Sequence, residues 1–268
     1  MTSYTGKTAL ITGASSGIGA AFARLLAAQG TNLILVARSE DKLRDLATTL
    51  SAQHNIRTDV LSADLSRPEA AQKLFEGTQQ LGLPIDILIN NAGFGTHGPF
   101  DSLDAEHEHQ EIMLNVAAVV DLTHYFLPAM LARRNGSIIN VASTAAFQPT
   151  PYMAVYGASK AFILSFSEAL WGEYRGKGIR VLALCPGATS TDFFNVVGTE
   201  DAALGSKETP EKVVQVALRA LEQGRPSVIS GRRNALMANS VRFAPRGMVA
   251  RMGERLMRPG HADKQRNV

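Results

Sequence analysis

The sequence contains few of the residues that disulfide scaffolds and metal centres need. Cys185 is the only cysteine among 268 residues, which excludes an intrachain disulfide and the cysteine-rich zinc motifs. Two of the six histidines, His107 and His109, lie two residues apart, so on a helix they point to different faces and suit a solvated surface. We therefore predict no metal site.

Long apolar runs and an N-terminal targeting pattern are also missing. The longest apolar stretches, such as residues 126–132, fall short of the roughly 18 continuous residues that a membrane span needs. A lone Lys7 precedes a short apolar run that soon meets Gly13, without the long apolar segment and cleavage site of a signal peptide. We expect no transmembrane helix and a cytoplasmic location.

Positive charge is concentrated at the C-terminal end. Residues 225–268 carry ten lysines and arginines against Glu254 and Asp263, a net charge of +8, whereas the first 224 residues carry 17 basic against 22 acidic side chains, a net charge of −5. Because the basic character belongs to this tail, it says little about what the body binds. We expect no nucleic-acid partner.

The basic tail also has a helical pattern. Residues 246–258 combine an apolar stripe at helical spacing with arginines off that stripe, which predicts a basic amphipathic helix. The stripe is Met248, Val249, Met252 and Leu256, and the arginines are Arg251, Arg255 and Arg258. Such a helix can pack on its own subunit, contact a partner subunit or dock on an anionic membrane surface. We favour the first two and keep peripheral membrane contact as the third.

Short β-type runs alternate with longer helical patterns from residue 7 to about residue 230. Several runs are apolar throughout, as expected for a parallel sheet covered on both faces. The pattern predicts an α/β, Rossmann-type doubly wound parallel sheet of about seven strands with helices on both faces. The predicted strands are residues 8–12, 32–37, 56–61, 86–90, 137–142, 180–185 and 227–230. We assign residues 1–232 to one dinucleotide-binding and catalytic domain with a substrate lid near 188–208, and residues 233–268 to a basic helical extension.

A glycine-rich turn follows the first predicted strand and opens a helical pattern. Such glycines allow a tight turn and a close approach of the backbone to a pyrophosphate, which the free N–H groups and dipole of the helix N-terminus stabilise. The turn is therefore predicted to bind a dinucleotide, with a ligand-free tight connection as the alternative. The predicted contacts are Gly13, Ser15, Ser16, Gly17, Ile18 and Gly19.

A second motif lies inside a later helical pattern, where Tyr156 and Lys160 are four residues apart. Residues at that spacing share a helix face, so a phenol and an ammonium group can point into one site. A nearby cation lowers a phenol pKa from about 10 toward the working pH, as a general acid/base requires. Taken alone, the pair is more typical of an ordinary amphipathic helix with a surface lysine.

The joint pattern is more specific than either motif. Asn90-Asn91-Ala92-Gly93 follows the fourth predicted strand, Asn115 lies within a helix, Ser143 follows the fifth strand, and Pro186-Gly187 follows the sixth. With the glycine turn and the Tyr156/Lys160 pair, the order and spacing match over residues 5–232. The sequence resembles the short-chain dehydrogenase/reductase family, in its compact single-domain branch.

The resemblance implies a role for each matching catalytic position. Ser143 would hydrogen-bond the substrate oxygen, and Tyr156 would pass a proton to or from it. Lys160 would hold the nicotinamide ribose and lower the pKa of Tyr156, while Asn115 would position a water that links Lys160 to solvent. The family's assembly through the helices that hold Asn115 and Tyr156 further implies a homo-oligomer, a dimer or a tetramer.

The resemblance also implies further cofactor contacts. Asp64 would bind the adenine amino group, Asn91 and Gly93 would pass beside the adenosine ribose, and Thr191 would hold the nicotinamide carboxamide after Pro186 and Gly187. The sequence departs from the family pattern at position 189, where Thr189 replaces an aliphatic residue and leaves its own role open.

Cofactor choice is predicted from the end of the second strand. NAD is normally selected there by an acidic side chain that accepts hydrogen bonds from the ribose hydroxyls. This chain instead has Ala37 and Arg38, and the guanidinium of Arg38 can bind a 2′-phosphate. We favour NADP(H), with NAD(H) as the alternative. A surface pair of Arg38 with Glu40 or Asp41 is the competing interpretation.

These observations predict an oxidoreductase that interconverts an alcohol and a small-molecule carbonyl compound. Aromatic residues near the strand ends indicate an apolar substrate, or equally side chains that pack under a loop. They are Phe94, Phe147, Tyr152, Phe193 and Phe194. A non-catalytic nucleotide-binding or redox-sensing protein on the same fold is the alternative. An epimerase or dehydratase of the extended branch would need a larger C-terminal domain.

Overall fold

The computed structural model describes residues 4–193, 197–199 and 207–260. Within them the strands form one parallel sheet in the order β3-β2-β1-β4-β5-β6-β7. Its strands are β1 (Thr8–Thr12), β2 (Asn32–Ala37), β3 (Thr58–Ser62), β4 (Ile87–Asn90), β5 (Gly136–Val141), β6 (Ile179–Cys185) and β7 (Ser227–Ile229). The predicted fold class is confirmed.

The helices cover both faces of this sheet. They are α1 (Gly17–Ala27), α2 (Glu40–His54), α3 (Ala70–Gln80), α4 (Ala105–Ile112), α5 (Ala118–Ala132), α6 (Ala154–Tyr174), α7 (Pro210–Glu222), α8 (Arg232–Ser240) and α9 (Arg246–Met257). Side chains alternate between two cores along β1: Ile11 packs with α1 and α7, and Leu10 packs with α3 and α5. The central strands are therefore buried on both faces, which explains their uninterrupted apolar sequence.

Local backbone chemistry shifts the start of one strand. The predicted run begins at Ile56, but β3 begins at Thr58. Asn55 adopts the left-handed conformation (φ 52°) that ends α2, and the Arg57 amide donates to the Asn32 side chain. Residues 55–57 thus close the helix and join it to the neighbouring strand.

One helical run is longer and more apolar than the sequence analysis expected. Residues 105–132 run through α4, a π-helical turn at Met113–Ala117 and α5, and by length and composition alone these 28 residues could cross a membrane. The resemblance to a membrane span rests on length and composition alone, so the expectation of no transmembrane helix stays a prediction. In this fold the run is a core helix, because Leu122, Phe126 and Met130 pack against the sheet.

Candidate active site

The carboxyl ends of the central strands surround a cleft of about 360 Å³. Strand order reverses between β1 and β4, and ligands of open α/β sheets bind at such a switch point. All the predicted site residues line this cleft except Gly19 and Asn115, which lie directly behind its wall. The topology therefore brings residues from positions 13 to 191 into one site.

The glycine turn has the conformation that the sequence analysis required. Gly13 and Gly17 have φ values of 65° and 55°, which side chains with a Cβ rarely adopt. A Cβ on Gly19 would lie 2.2 Å from the Gly13 carbonyl oxygen, so only glycine lets α1 approach the turn. Ser16 stands at the N-cap of α1 without capping it through its side chain, which leaves helix N–H groups for an anionic ligand.

Asn91 holds the turn in place. Its side-chain amide donates to the carbonyl oxygens of Thr12 (2.9 Å) and Gly13 (3.2 Å). The Thr12 hydroxyl accepts hydrogen bonds from the backbone N–H groups of Asn91 and Ala92, both at 3.0 Å. The side chain that the family resemblance places beside the ribose thus also joins the β1 and β4 loops.

The far end of the cleft contains Arg38 and Asp64. Glu40 pairs with Arg44 rather than with Arg38, and Arg38 makes no ion pair within 4 Å among the residues described. A hydrogen bond from Ser66 and the charge of Arg38 hold the pKa of Asp64 below its usual range, against the opposing effect of burial. An exposed guanidinium with no carboxylate partner fits a phosphate of the nucleotide.

The catalytic candidates lie on β5, the turn after it and α6. The Lys160 ammonium, 5% exposed, donates to the Val141 carbonyl oxygen at 3.0 Å and lies 5.7 Å from the centroid of the Tyr156 ring. Ser143 begins a 3₁₀ turn at Thr144–Phe147, and its hydroxyl accepts from the Ala145 amide at 3.1 Å. Both hydroxyl-bearing side chains and Lys160 face the same cleft.

Asn115 braces this arrangement from the π-helical turn. Its side-chain oxygen accepts from the Phe94 amide (3.2 Å), and its nitrogen donates to the Phe94 carbonyl (2.9 Å) and to the Ser159 hydroxyl (3.2 Å). A Cβ on Gly93 would lie 2.8 Å from that Asn115 oxygen and 3.2 Å from the Lys160 nitrogen. Asn115 therefore connects the β4 loop to α6 beside Lys160, and π-turns of this kind are frequent at functional sites.

Burial reverses the expected pKa shift of Tyr156. We expected Lys160 to lower the pKa of Tyr156, but burial raises it to about 12. The charge of Glu111 also raises this pKa, whereas a hydrogen bond with Ser143 lowers it. Burial also lowers the pKa of Lys160 to about 8. Desolvation of the charged form is the largest cause of the pKa shift at both groups.

The aromatic candidates divide into two groups. Phe94 and Phe193 line the cleft, and the Phe193 and Tyr156 rings lie 5.4 Å apart between centroids. Phe147 packs instead against a cluster that contains Ile163, and the Tyr152 hydroxyl donates to Glu254 at 3.3 Å. Neither of these two lines the cleft, which for them favours the packing alternative over the substrate pocket. Phe194 lies outside the described residues, as does part of the segment assigned to a lid.

The two ends of the predicted lid, residues 188–208, are joined to each other by backbone hydrogen bonds. Thr189 is buried, and its hydroxyl donates to the Gly187 carbonyl oxygen at 3.0 Å. The Ser190 amide donates to the Glu208 carbonyl (2.8 Å), and the Glu208 amide donates to the Ala188 carbonyl (2.9 Å). The Thr189 side chain thus closes a local turn, which explains how a threonine is accommodated there.

Comparison with known proteins places the chain in a family. The family model for short chain dehydrogenases matches residues 7–202. The chain belongs to the short-chain dehydrogenase/reductase family. This family comprises NAD(P)-dependent dehydrogenases and reductases, and the match extends over the glycine turn, Ser143 and the Tyr156/Lys160 pair.

Named relatives carry several activities. The chain is 40% identical over 189 residues to "Hydroxysteroid dehydrogenase-like protein 1" of Gallus gallus, covering 69% of this chain and 56% of that protein. It is 34% identical over 218 residues to "Very-long-chain 3-oxoacyl-CoA reductase" of Anas platyrhynchos, covering 80% and 68%. The chain thus spans little more than half to about two thirds of the length of these relatives.

Solved structures of the family share the fold over nearly the whole chain. A short-chain dehydrogenase from Sphingobium yanoikuyae in complex with NADPH superimposes with a TM-score of 0.81 at 34% identity, covering 90% of this chain and 94% of the other. A family member from Burkholderia phymatum in complex with NAD has a TM-score of 0.82 at 25% identity, with 89% and 94% covered. Solved relatives that share this fold therefore include one bound to NADPH and one bound to NAD.

Two buried acids near the site were missed by the sequence analysis. Glu111 is fully buried and Glu108 is 7% exposed, and both bind the Thr96 hydroxyl, Glu111 at 3.2 Å. Burial and the charge of Glu108 raise the pKa of Glu111 to about 7, although Thr96 and Lys160 act in the opposite direction. Their spacing of three residues places them on one helix face, but only the tertiary structure turns that face inward.

Two further contacts could not be read from a motif. A Cβ on Gly95 would lie 2.8 Å from the Tyr156 ring, so glycine there permits the ring to approach the β4 loop. Met257, from the C-terminal extension, lines the cleft, and its carbonyl oxygen lies 2.8 Å from the Nε2 atom of His97. No sequence pattern links residue 257 to a site formed around residue 156.

Proposed function

We propose that this chain is an NADP(H)-dependent carbonyl reductase with Tyr156 as its general acid/base. The observation that carries this proposal is the convergence of Ser143, Tyr156 and Lys160 in the cleft whose other end is the glycine turn. A nucleotide-binding protein without catalysis would need the turn but not a buried Tyr–Lys pair. The catalytic arrangement therefore favours an enzyme over a nucleotide sensor.

The protonation states support reduction of a carbonyl compound. With a pKa of about 12, Tyr156 is a neutral phenol at pH 7 and can donate its proton to a carbonyl oxygen. The bound nicotinamide supplies the hydride, and the protein orients the substrate and stabilises its developing charge. Ser143 would donate a second hydrogen bond to that oxygen, while Lys160, fixed on Val141, would hold the ribose.

The first test is Tyr156→Phe. Positioned proton transfer contributes about 10²- to 10⁴-fold to a rate, so we expect kcat to fall by that factor while the Kd for NADPH stays nearly unchanged. Stopped-flow turnover and fluorescence titration of NADPH measure the two quantities separately. Tyr125→Phe is a matched control, because Tyr125 stacks on Phe75, remote from the cleft. Wild-type turnover in Tyr156→Phe would refute the proposed acid/base.

The preference for NADP(H) is supported by Arg38, which lies exposed beside the small Ala37 at the end of β2 and has no carboxylate within 4 Å in the described part of the chain. Relatives solved with NADPH and with NAD leave the choice to this local chemistry. A carboxylate at position 37 would bind ribose hydroxyls and repel a 2′-phosphate.

The second test is therefore Ala37→Asp combined with Arg38→Gln. We expect kcat/KM for NADPH to fall at least about tenfold and that for NADH to rise, because a charge-assisted bidentate contact is replaced by repulsion. Arg44→Gln, which removes an arginine paired with Glu40 outside the cleft, is the control. A higher kcat/KM for NADH than for NADPH in the unmodified protein would contradict the role of Arg38.

We further propose an apolar ketone as substrate. Phe94, Met153, Phe193 and Met257 line the cleft that holds Tyr156. One named relative is a very-long-chain 3-oxoacyl-CoA reductase, and another is named as similar to a hydroxysteroid dehydrogenase. Screening ketones of increasing apolar size for NADPH oxidation tests this class. A preference for small polar carbonyl compounds would exclude it.

Assembly and location stay proposals as well. Ile112 and Phe162 on the helices next to Asn115 and Tyr156 are each 43% exposed, which supports a homo-oligomer through these helices. A cytoplasmic location is compatible with that assembly and with a soluble nicotinamide cofactor. Analytical ultracentrifugation of wild type and Phe162→Ser tests the interface.

A further inference from the structure

Exposed apolar side chains are concentrated in the C-terminal extension. Six of the nine large apolar residues that are exposed in the described part of the chain lie between positions 236 and 256. They are Leu236, Met237, Phe243, Met248, Met252 and Leu256, with Phe243 91% exposed. We call the outer side of α8, of the 3₁₀ turn Val241–Phe243 and of α9 the C-terminal surface.

The inner side of α9 is already packed on the protein. Val249 and Met257 are buried, and a Cβ on Gly253 would lie 3.1 Å from Pro151. Glu254 accepts a hydrogen bond from Tyr152 and pairs with Arg258. Of the three contacts expected for this helix, packing on its own subunit is therefore found, but only for the inner side of α9.

The outer side of α9 combines an apolar stripe with cations. Met248, Met252 and Leu256 follow one another at intervals of four residues and are 55%, 58% and 41% exposed. Arg251 and Arg255 are exposed beside this stripe, and neither has a carboxylate within 4 Å among the described residues. Such a helix, apolar on one strip and cationic on the next, has the composition of an interfacial membrane helix.

The surrounding charge points the same way. Residues 225–260 hold eight arginines against the single acid Glu254, a net charge of +7. A two-fold contact between two copies through this surface would set Arg251 and Arg255 of each copy near those of the other, and like charges across an interface are unfavourable. An anionic lipid surface is complementary to the same cations and attracts each arginine that lies near it.

We propose that the C-terminal surface docks on an anionic lipid bilayer. Phe243, Met248 and Met252 enter the headgroup region, and Arg251 and Arg255 bind lipid phosphates. Because Met257 on the inner side of the same helix lines the cleft, docking places the cleft beside the lipid surface. If the apolar ketone proposed above is correct, it reaches Tyr156 from the bilayer, but the docking itself does not depend on that substrate.

The experiment is co-sedimentation of the full chain with vesicles, which requires no knowledge of the substrate. Vesicles of phosphatidylcholine with phosphatidylglycerol are compared with pure phosphatidylcholine, at low and at high salt. We expect binding to the anionic vesicles alone, weakened by salt. Arg251→Gln with Arg255→Gln should weaken binding at least about tenfold. Met248→Ser with Met252→Ser should weaken it at both salt concentrations.

The matched control is Lys73→Gln with Lys177→Gln, which removes two exposed cations outside the C-terminal surface. Circular dichroism melts verify that each variant is folded, and the arginine and methionine variants test the same surface independently. Absence of salt-sensitive binding, or equal weakening by the control, would overturn the proposal. A methionine variant that lowers the oligomeric state while vesicles fail to bind would identify the surface as a contact between copies instead.

Discussion

The two walls of the cleft are built in different ways. The cofactor wall, formed by residues 12–19, 91–95 and 141–143 with Lys160, is held by several hydrogen bonds from side chains to backbone, such as those of Asn91 and Lys160. The substrate wall, formed by Thr150, Met153, Phe193 and Met257, comes from loops and the C-terminal extension. Its visible attachments are a few half-buried contacts such as Tyr152 to Glu254.

This difference separates chemistry from selectivity. Proton transfer and nucleotide binding require side chains that are held in a fixed geometry. Their residues therefore lie at the ends of strands, whose positions the sheet fixes. Substrate recognition stands on connecting segments, which accept sequence change at small cost to the fold. Substitutions in the cofactor wall should therefore be costly, and those in the substrate wall should mainly alter KM.

The largest effect is expected for Gly19→Ala behind the cofactor wall. The added methyl would lie 2.2 Å from the Gly13 carbonyl oxygen and 2.6 Å from the Asn91 amide nitrogen. We expect a loss of about 3 kcal/mol in unfolding free energy, at the upper end for overpacking, and weaker NADPH binding. Urea denaturation and nucleotide titration measure both.

Gly172→Ala is the matched control for that change. A Cβ on Gly172, within α6, has nothing within 4 Å, so this substitution should stabilise the protein by about 1 kcal/mol through helix propensity. Equal stability of the two variants would show that the turn has room for a side chain. It would contradict the view that the cofactor wall tolerates substitution less well than the substrate wall.

A smaller, pH-dependent effect is expected for Glu111→Gln. The folded pKa of about 7 lies above the ordinary value of 4.5, so the folded state binds the proton more tightly than the unfolded state. The stability that this group contributes is therefore full below about pH 4.5 and is lost as the pH rises through 7. Between those pH values the unfolding free energy of the glutamine variant should rise by about 3 kcal/mol relative to that of wild type.

Denaturation at several pH values tests this prediction, with the exposed Glu106→Gln on the same helix as control. Glu111 also raises the pKa of Tyr156 and of Lys160, so the pH profile of kcat should move to lower pH in Glu111→Gln. A stability difference that does not change with pH would mean that Glu111 is ionised in the folded protein.

The smallest effect is expected for Tyr152→Phe, behind the substrate wall, where Tyr152 ties the loop before α6 to α9. It removes one half-buried hydrogen bond at 3.3 Å, which is worth about 0.5–1 kcal/mol. We expect a small decrease in Tm and a higher KM for the ketone, with kcat and the Kd for NADPH unchanged. A large decrease in kcat would instead show that Tyr152 supports the catalytic residues, and the boundary between the two walls would then be drawn beyond Tyr152.

Much of the fold was predictable because its signals are local. β1 and β2 have the predicted bounds, because each is a mostly apolar run with glycine or polar residues next to its ends. The start of β3 was misplaced because Asn55 closes the preceding helix in a conformation that the run of residues does not reveal. Residues 105–132 were underestimated because their apolar side chains are spread over two helices and a π-turn.

The site was predictable only as a set of positions. Motif order placed Gly13, Ser143, Tyr156 and Lys160 in one cleft, but burial decided their chemistry. Phe147 and Tyr152 stand next to the same motifs and still face other partners. Adjacency in sequence does not settle which side of a turn a side chain occupies.

By itself the sequence determined the alternation of strands and helices, the glycine turn and the four-residue spacing of Tyr156 and Lys160, because these depend on backbone sterics and helix geometry. Tertiary structure alone decided the direction of the Tyr156 pKa shift, the burial of Glu108 and Glu111, and which face of α9 meets solvent. Desolvation depends on all the surfaces that close around a group, and those surfaces come from distant parts of the chain.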